Sequence, residues 1–338
     1  MREGDDGGGG VKAAILLLLS LPLLAVDGTV VNKTTGQPQA GVLVHATRMT
    51  QGGMEPAGSG KAGADGKFTI QADGSAPLLV QAVYKGVTYT RQIPPGAPST
   101  GIEIDVWEAA AKVAEAALSQ HMILVETDGQ ELVVNETLVY QNSGNVTWND
   151  DEKGTLRFYV PPEAGTNVMV RATSPGGMPV EREPRKGAEK GAYLLDFPVK
   201  PGGETRFDIS YKMPVKEPLE LAGKILHGPG PVRLVVPQGM TVEGQGLEPL
   251  GPEPQTQASI FDIKGSKYLL KISGTGTLRS TQEPAQQEED GPRIEEMMPP
   301  GYLRYWKWAL GLMLGFLALS FWAQWMKTPR AQGSKPKA

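Results

Sequence analysis

From residue 27 to residue 279 short runs alternate apolar and polar side chains, and Gly, Pro, Asn and Asp interrupt them at close intervals. A period of two sends successive side chains to opposite faces of a strand, so each run can bury one face and leave the other to solvent. Such a chain folds by stacking sheets. With no cysteine to cross-link it, the stack must be held by packing alone. The Gly 43 and Pro 28 content fits the many turns that short strands require.

The alternation falls into blocks. In residues 26–106, Gly28-Thr29-Val30-Val31-Asn32 and Val42-Leu43-Val44-His45-Ala46 flank a loop, Thr34-Thr35-Gly36-Gln37-Pro38, while Asp65-Gly66 and Lys85-Gly86 supply hairpin corners. Residues 107–118 (WEAAAKVAEAAL) have high helix propensity with no Gly or Pro, which predicts a linker or short helix. Residues 119–214 return to alternation and predict a second sandwich of immunoglobulin-like size. The shorter runs in residues 215–279 predict either a small further β domain or an extension of the second. The fold class expected is all-β: tandem antiparallel β-sandwiches, transthyretin-like then immunoglobulin-like, plus one C-terminal transmembrane helix.

The order Gly28-x-Val30, Thr35-Gly36-x-Pro38-x-x-Gly41-Val42-x-Val44 and Asp65-Gly66-x-Phe68-x-Ile70 resembles the carboxypeptidase regulatory-like domain, a transthyretin-like β-sandwich that accompanies many secreted and surface proteins. That resemblance covers about residues 26–106. It implies folding, spacing or binding roles and brings no catalytic residue with it. Residues 119–279 are similar, more faintly, to exported bacterial proteins that join such a region to a regulatory-like domain and a C-terminal anchor.

The two ends predict location. Residues 13–26 (AAILLLLSLPLLAV) are too short to cross a bilayer and fit the core of a signal peptide over residues 1–25, cleaved after Ala25. Glu3, Asp5 and Asp6 outweigh Arg2 and Lys12 ahead of it, and translation starting at Val11 would remove that anomaly. Residues 280–300 are polar and acidic and predict a disordered stalk. Within residues 301–326 no charge occurs between Trp308 and Met326, and as a helix that run covers roughly 28 Å, enough to span the hydrocarbon core. Tyr302, Tyr305, Trp306 and Trp308 at one end, with Trp322 and Trp325 at the other, predict aromatic anchors at the two interfaces. Lys327, Arg330, Lys335 and Lys337 then place the tail, residues 327–338, in the cytoplasm by the positive-inside rule, and the bulk of the chain outside. Gly311 and Gly315 share a helix face that Ala318 continues, which predicts close packing against another helix.

Little in the chain reads as chemistry. A net charge of −4 argues against a nucleic-acid partner. His45, His121 and His227 fall in separate segments with no second ligand at metal spacing, so neither a metal nor another cofactor is expected. Asn149-Asp150-Asp151-Glu152 is an acidic turn without EF-hand spacing. Gly244-x-Gly246 is followed by Pro249 and Pro252 where a phosphate-binding helix would begin. Asn32-Lys-Thr34, Asn135-Glu-Thr137 and Asn145-Val-Thr147 match the glycosylation pattern, which a bacterial host would leave unmodified. No G-x-S-x-G, H-E-x-x-H or P-loop pattern occurs. The expected function is therefore non-enzymatic: an envelope protein, lodged in the bilayer, whose sandwiches bind or position a protein partner, the anchor packing it as an accessory subunit onto a larger membrane complex, with a carbohydrate- or peptide-binding surface module as the alternative and a hydrolase accessory or cryptic enzyme as a weaker third.

This topology predicts that protease added to intact spheroplasts digests the chain as far as the stalk and spares an epitope placed after Lys327. Sandwiches that resist until the cells are lysed would reverse the orientation.

Overall fold

The computed structural model describes residues 25–278, apart from 51, 73–75 and 166, together with residues 310 and 312–314. Two compact units divide the chain, Met1–Ser280 and Thr281–Ala338. Of the second unit, residues 310 and 312–314 are helical, and among the described residues no helix is long and apolar enough to cross a membrane. The segments expected as signal peptide (before Ala25), stalk and aromatic-flanked span otherwise lie outside the described residues.

The all-β expectation holds for the described residues of the first unit, which are strands and connections with one 3-10 turn, Pro162–Ala164. Its opening sandwich uses β1 (Ala25–Asn32), β2 (Gln37–Pro38), β3 (Leu43–Thr50), β4 (Gly53–Lys61), β5 (Lys67–Gln71), β6 (Leu78–Tyr84), β7 (Val87–Ile93) and β8 (Ile102–Val106). One sheet sets β2 and β5 along one edge of β1 and β8 along the other; the second runs β4-β3-β6-β7. Val26 and Val30 of β1, Val44 and Ala46 of β3, Phe68 and Ile70 of β5, and Leu78, Val80 and Ala82 of β6 alternate into the space between them. Gly28 is fixed by a close approach: a Cβ there would lie 2.0 Å from the Ile102 carbonyl oxygen and 2.9 Å from the Phe68 ring. No side chain fits between β1 and β8.

Residues 107–118 are not helical, against the expectation from their composition. β9 (Ala109–Ala110) pairs with β12 (Thr147–Trp148), and Ala116 already opens β10 (Ala116–Thr127), paired with β11 (Glu131–Asn142) from Ala116↔Asn142 onward. A helix of that length is marginal in water, and a ladder offering partners to the same backbone groups outweighs its propensity.

The rest of the first unit is β13 (Leu156–Tyr159), β14 (Val168–Thr173), β15 (Val180–Glu181), β16 (Arg185–Lys186), β17 (Ala192–Leu195), β18 (Glu204–Pro214), β19 (Leu219–Lys224), β20 (Val232–Val236), β21 (Met240–Gly244), β22 (Leu247–Pro252), β23 (Ser259–Ile263) and β24 (Lys267–Gly274). An eight-stranded sheet in the order β15-β14-β18-β11-β10-β20-β23-β22 is joined by two of three strands, β13-β17-β16 and β19-β24-β21. Residues 215–279 build no core of their own. Leu219, Leu221, Leu234, Leu270 and Ile272 pack in one cluster with Leu138, Phe158 and Phe207, so this region extends the second sandwich.

The pairing is not wholly antiparallel as expected. β1 and β8, β9 and β12, and β10 and β20 run parallel. Parallel neighbours need a long connection, and in each case the strands are separated by enough chain to return on the same heading.

Where the sandwiches meet, the Thr147 N–H donates to the Glu108 carbonyl at 2.8 Å. The Tyr89 hydroxyl lies 3.1 Å from the Trp107 carbonyl, to which it donates, and 2.8 Å from Thr147 Oγ1. Lys200 reaches across from the second sandwich, donating to the Thr88 carbonyl, with Nζ 5.2 Å from the Tyr89 ring centroid. Burial pulls its pKa down to about 8. A lysine whose pKa falls on folding stabilises the fold fully above its unfolded value of 10.5 and loses that contribution as pH drops through about 8. At neutral pH the ammonium is therefore a cost to the junction. Lys200→Met should be no less stable than the parent at neutral pH, and its melting temperature should rise less between about pH 7 and about pH 9.5; parallel pH profiles would contradict this.

Candidate functional site

On β11 the residues Leu132, Val134, Leu138 and Tyr140 face the second core, and Glu136, in phase with them, faces it too at 5% exposure. On the neighbouring β10, His121 is in phase with Ile123 and Val125 and is 3% exposed. Two ionisable side chains thus enter an apolar core from adjacent strands, and such groups are retained only when paired.

They pair with each other and with a third group, the ring of a second histidine. His121 Nε2 lies 3.0 Å from Glu136 Oε2, and His121 Nδ1 lies 2.9 Å from Nε2 of His227, which sits in the connection between β19 and β20. The rings meet edge to face, with centroids 4.9 Å apart. His227 Nδ1 is 2.7 Å from the Gly228 carbonyl, and the Tyr211 hydroxyl of β18 donates to Glu136 Oε1 at 3.1 Å. Burial pushes the Tyr211 and Tyr268 hydroxyls well above their ordinary range, with the Glu136 carboxylate adding to both, so both stay neutral. His227 is held below the usual imidazole range, by burial first and also by His121, with the Gly228 carbonyl and Glu136 opposing.

Proton positions follow from the contacts. A carbonyl only accepts, so His227 Nδ1 carries a proton toward Gly228. Each of the other two contacts along the chain needs one proton to be a hydrogen bond rather than a clash of lone pairs. Three ring contacts hold three protons, one more than two neutral imidazoles supply, and that extra proton cancels the Glu136 charge. The lowered affinity of His227 for protons makes it the acceptor at Nε2, with His121 donating from Nδ1.

The half-buried His227 opens onto a cleft of about 490 Å³, lined by the connection from Ile225 through Gly228, Pro229, Gly230 and Pro231, and by the turn carrying Asp262, Lys264 and Ser266. Both of its ring nitrogens are already engaged, so the cleft is offered neither a free base nor a free ligand. Glu136 and His227 lie at opposite nitrogens of His121, which leaves no point within bonding reach of three donors. Among the described residues no group of three His, Cys, Asp or Glu is arranged to hold a metal.

Other sequence candidates fall elsewhere. His45 is outward on β3, in phase opposite to Val44 and Ala46. In the acidic turn, Asp150 Oδ1 accepts the Lys153 N–H at 2.8 Å and closes the turn itself. Gly244 and Gly246 form the corner between β21 and β22. Asn32 is 1% exposed, so the acceptor of the first glycosylation pattern is closed to modification in the folded chain, whereas Asn145 is exposed with its Thr147 buried. Gly311, Gly315, Ala318, Tyr302, Tyr305, Trp306, Trp308, Trp322, Trp325, Lys327, Arg330, Lys335 and Lys337 lie outside the described residues. The Tyr211–Glu136–His121–His227 chain was not anticipated. The signal available was parity: Glu136 and His121 each occupy a core-facing position of an otherwise apolar alternation.

No protein-family model matches the sequence, and no curated protein matches it. Solved structures with a partial likeness include an M1 zinc metallopeptidase mutant from Deinococcus radiodurans bound to a Tyr-Ser-Ala substrate, at 13% identity and a TM-score of 0.26 over 47% of this chain and 43% of that one. A two-domain M1 zinc metallopeptidase mutant bound to L-tryptophan is similar at 12% identity and a TM-score of 0.25, over 48% and 44%. The chain spans less than half the length of either, and a likeness this low carries no inference about its activity.

Removing one member of a buried ionic pair leaves the other uncompensated, at a cost of about 3–5 kcal/mol, whereas losing a single hydrogen bond to a charged acceptor costs about 1.5–3 kcal/mol. Urea unfolding should therefore rank Glu136→Ala well below Tyr211→Phe in stability. Equal and small losses would mean that Glu136 is not buried among these partners.

Proposed function

We propose that this is a membrane-anchored envelope protein without enzymatic activity, whose extracytoplasmic β-sandwiches bind or position a protein partner. The first sandwich, on this reading, serves as a regulatory-like accessory module, and the residues after 300 as the anchor. The observation that carries it is the outer face of the eight-stranded sheet. One transverse row reads Ile260, Val235, Leu124, Asn135, Ser210, Met169 across five pairings, and the row beside it reads Asp262, Arg233, Met122, Thr137, Asp208, Arg171. A half-exposed apolar strip, Ile260 and Leu124 on either side of the buried Val235, beside a row of mixed charge has the anatomy of a protein interface: apolar centre, polar rim.

The alternative of a sugar-binding face has less in its favour. Sugar platforms use exposed aromatic rings, and the two tryptophans among the described residues, Trp107 and Trp148, are half-buried against Tyr89 and Tyr140 at 5.4 and 5.5 Å between centroids.

The test is purification from membranes in mild detergent with identification of co-migrating proteins. Leu124→Lys with Ile260→Lys should release the partner while costing about 1 kcal/mol or less in stability. Gly311→Leu with Gly315→Leu should release it only if the anchor makes the contact, because helix packing in lipid depends on small residues. A partner retained by both variants would remove this face and the helix together from the account.

A further inference from the structure

His227 holds a wall of the cleft. The chain entering it is fixed where the Ile225 N–H donates to the Ser266 carbonyl at 2.8 Å, and the chain leaving it where the His121 N–H donates to the Pro231 carbonyl at 3.1 Å. Between these points Gly228, Pro229 and Gly230 are exposed, and Gly230 packs so closely over Leu118 that a Cβ would sit 2.7 Å from its side chain. The His227 ring ties this connection to the core through Nε2 on His121, while its Nδ1 bonds to Gly228 within the connection itself.

We infer that His121 and His227 form an acid-operated latch: the single proton between their rings holds the 226–231 connection closed over Leu118, and a second proton releases it. With one shared proton, His121 donates and His227 accepts. With two, both facing nitrogens carry hydrogen, and two donors with two positive charges stand 2.9 Å apart. That contact cannot persist. His121 cannot yield, because β10 is paired on both sides with β11 and β20, and Glu136 holds its other nitrogen. His227 can, because it lies in a half-exposed connection between its two fixed points. The groups that face the pair agree with this direction. Glu136 from β11 neutralises one added proton and not two; Tyr211 from β18 and Tyr268 from β24 stay neutral; on the cleft side the carboxylates of Asp262 and Glu248 are both paired with Lys264, so neither is a free anion for a second proton.

The sign is that of a histidine whose proton affinity falls on folding. The closed form is favoured above the ordinary value of about 6.5 and loses that advantage as pH falls below it. Release is local, since the connection contributes none of the core side chains of β11, β18 or β24.

Hydroxyl-radical footprinting of the full-length protein in detergent, normalised to a reporter peptide, reads this directly. Between about pH 7.5 and about pH 5 the oxidation rates of Leu118, Leu226 and His227 should rise at least about threefold, while Phe207 and Leu138 in the core stay unchanged. In His227→Gln, which has no ring to protonate, Leu118 and Leu226 should be oxidised at one rate at both pH values. Flat rates in the parent protein would overturn the latch, as would an equal acid-induced rise in His227→Gln. A rise at Phe207 and Leu138 together with Leu118 would overturn it as well, because the acid response would then be global unfolding.

Discussion

The second sandwich depends on β11 being paired along both edges, to β10 from Leu132 to Asn142 and to β18 from Glu131 to Gln141. A strand held on both sides has no freedom to slip, and a one-residue slip would exchange every inward side chain for an outward one. Register is therefore what decides the content of the core. It admits Leu132, Val134, Leu138 and Tyr140, and with them Glu136, which cannot be turned out without turning out the others. The buried carboxylate then calls for partners, and Tyr211 and His121 supply them from the two strands that β11 pairs with. His227 completes the chain from the connection between β19 and β20, whose Ile225 also packs against the core.

The same pairing explains why residues 215–279 belong to the second sandwich. β20 runs parallel to β10 and continues the eight-stranded sheet, while β19, β21 and β24 cover its inner face. From sequence those runs were too short to assign, because a strand that only borders an existing core needs little apolar surface of its own. Parallel pairing between strands this far apart leaves no local mark either.

The opening sandwich was the most legible part. Its turns carry glycines at Asp65-Gly66 and Lys85-Gly86, and in the structure Gly66 and Gly86 adopt φ of 74° and 75° where a side chain would be strained. Gly28 was visible as a landmark, though its reason, the Ile102 carbonyl 2.0 Å from any added Cβ, was not. Residues 107–118 misled because their alanines speak for a helix, while the partners that draw them into strands, Thr147 and Asn142, lie too far along the chain to be read. Of the candidate site, the inward carboxylate and histidine were readable by parity, whereas His227 was not, since a loop residue has no parity to break.

The central claim is that one proton is held between two histidine rings inside this fold. In the full-length protein labelled with nitrogen-15 histidine, it predicts a ring proton, bonded to one nitrogen and scalar-coupled to a second nitrogen of another ring, that exchanges slowly with water at neutral pH and vanishes in His227→Gln. Ring protons at His121 and His227 that all exchange rapidly, with no coupling between the two rings, would contradict it.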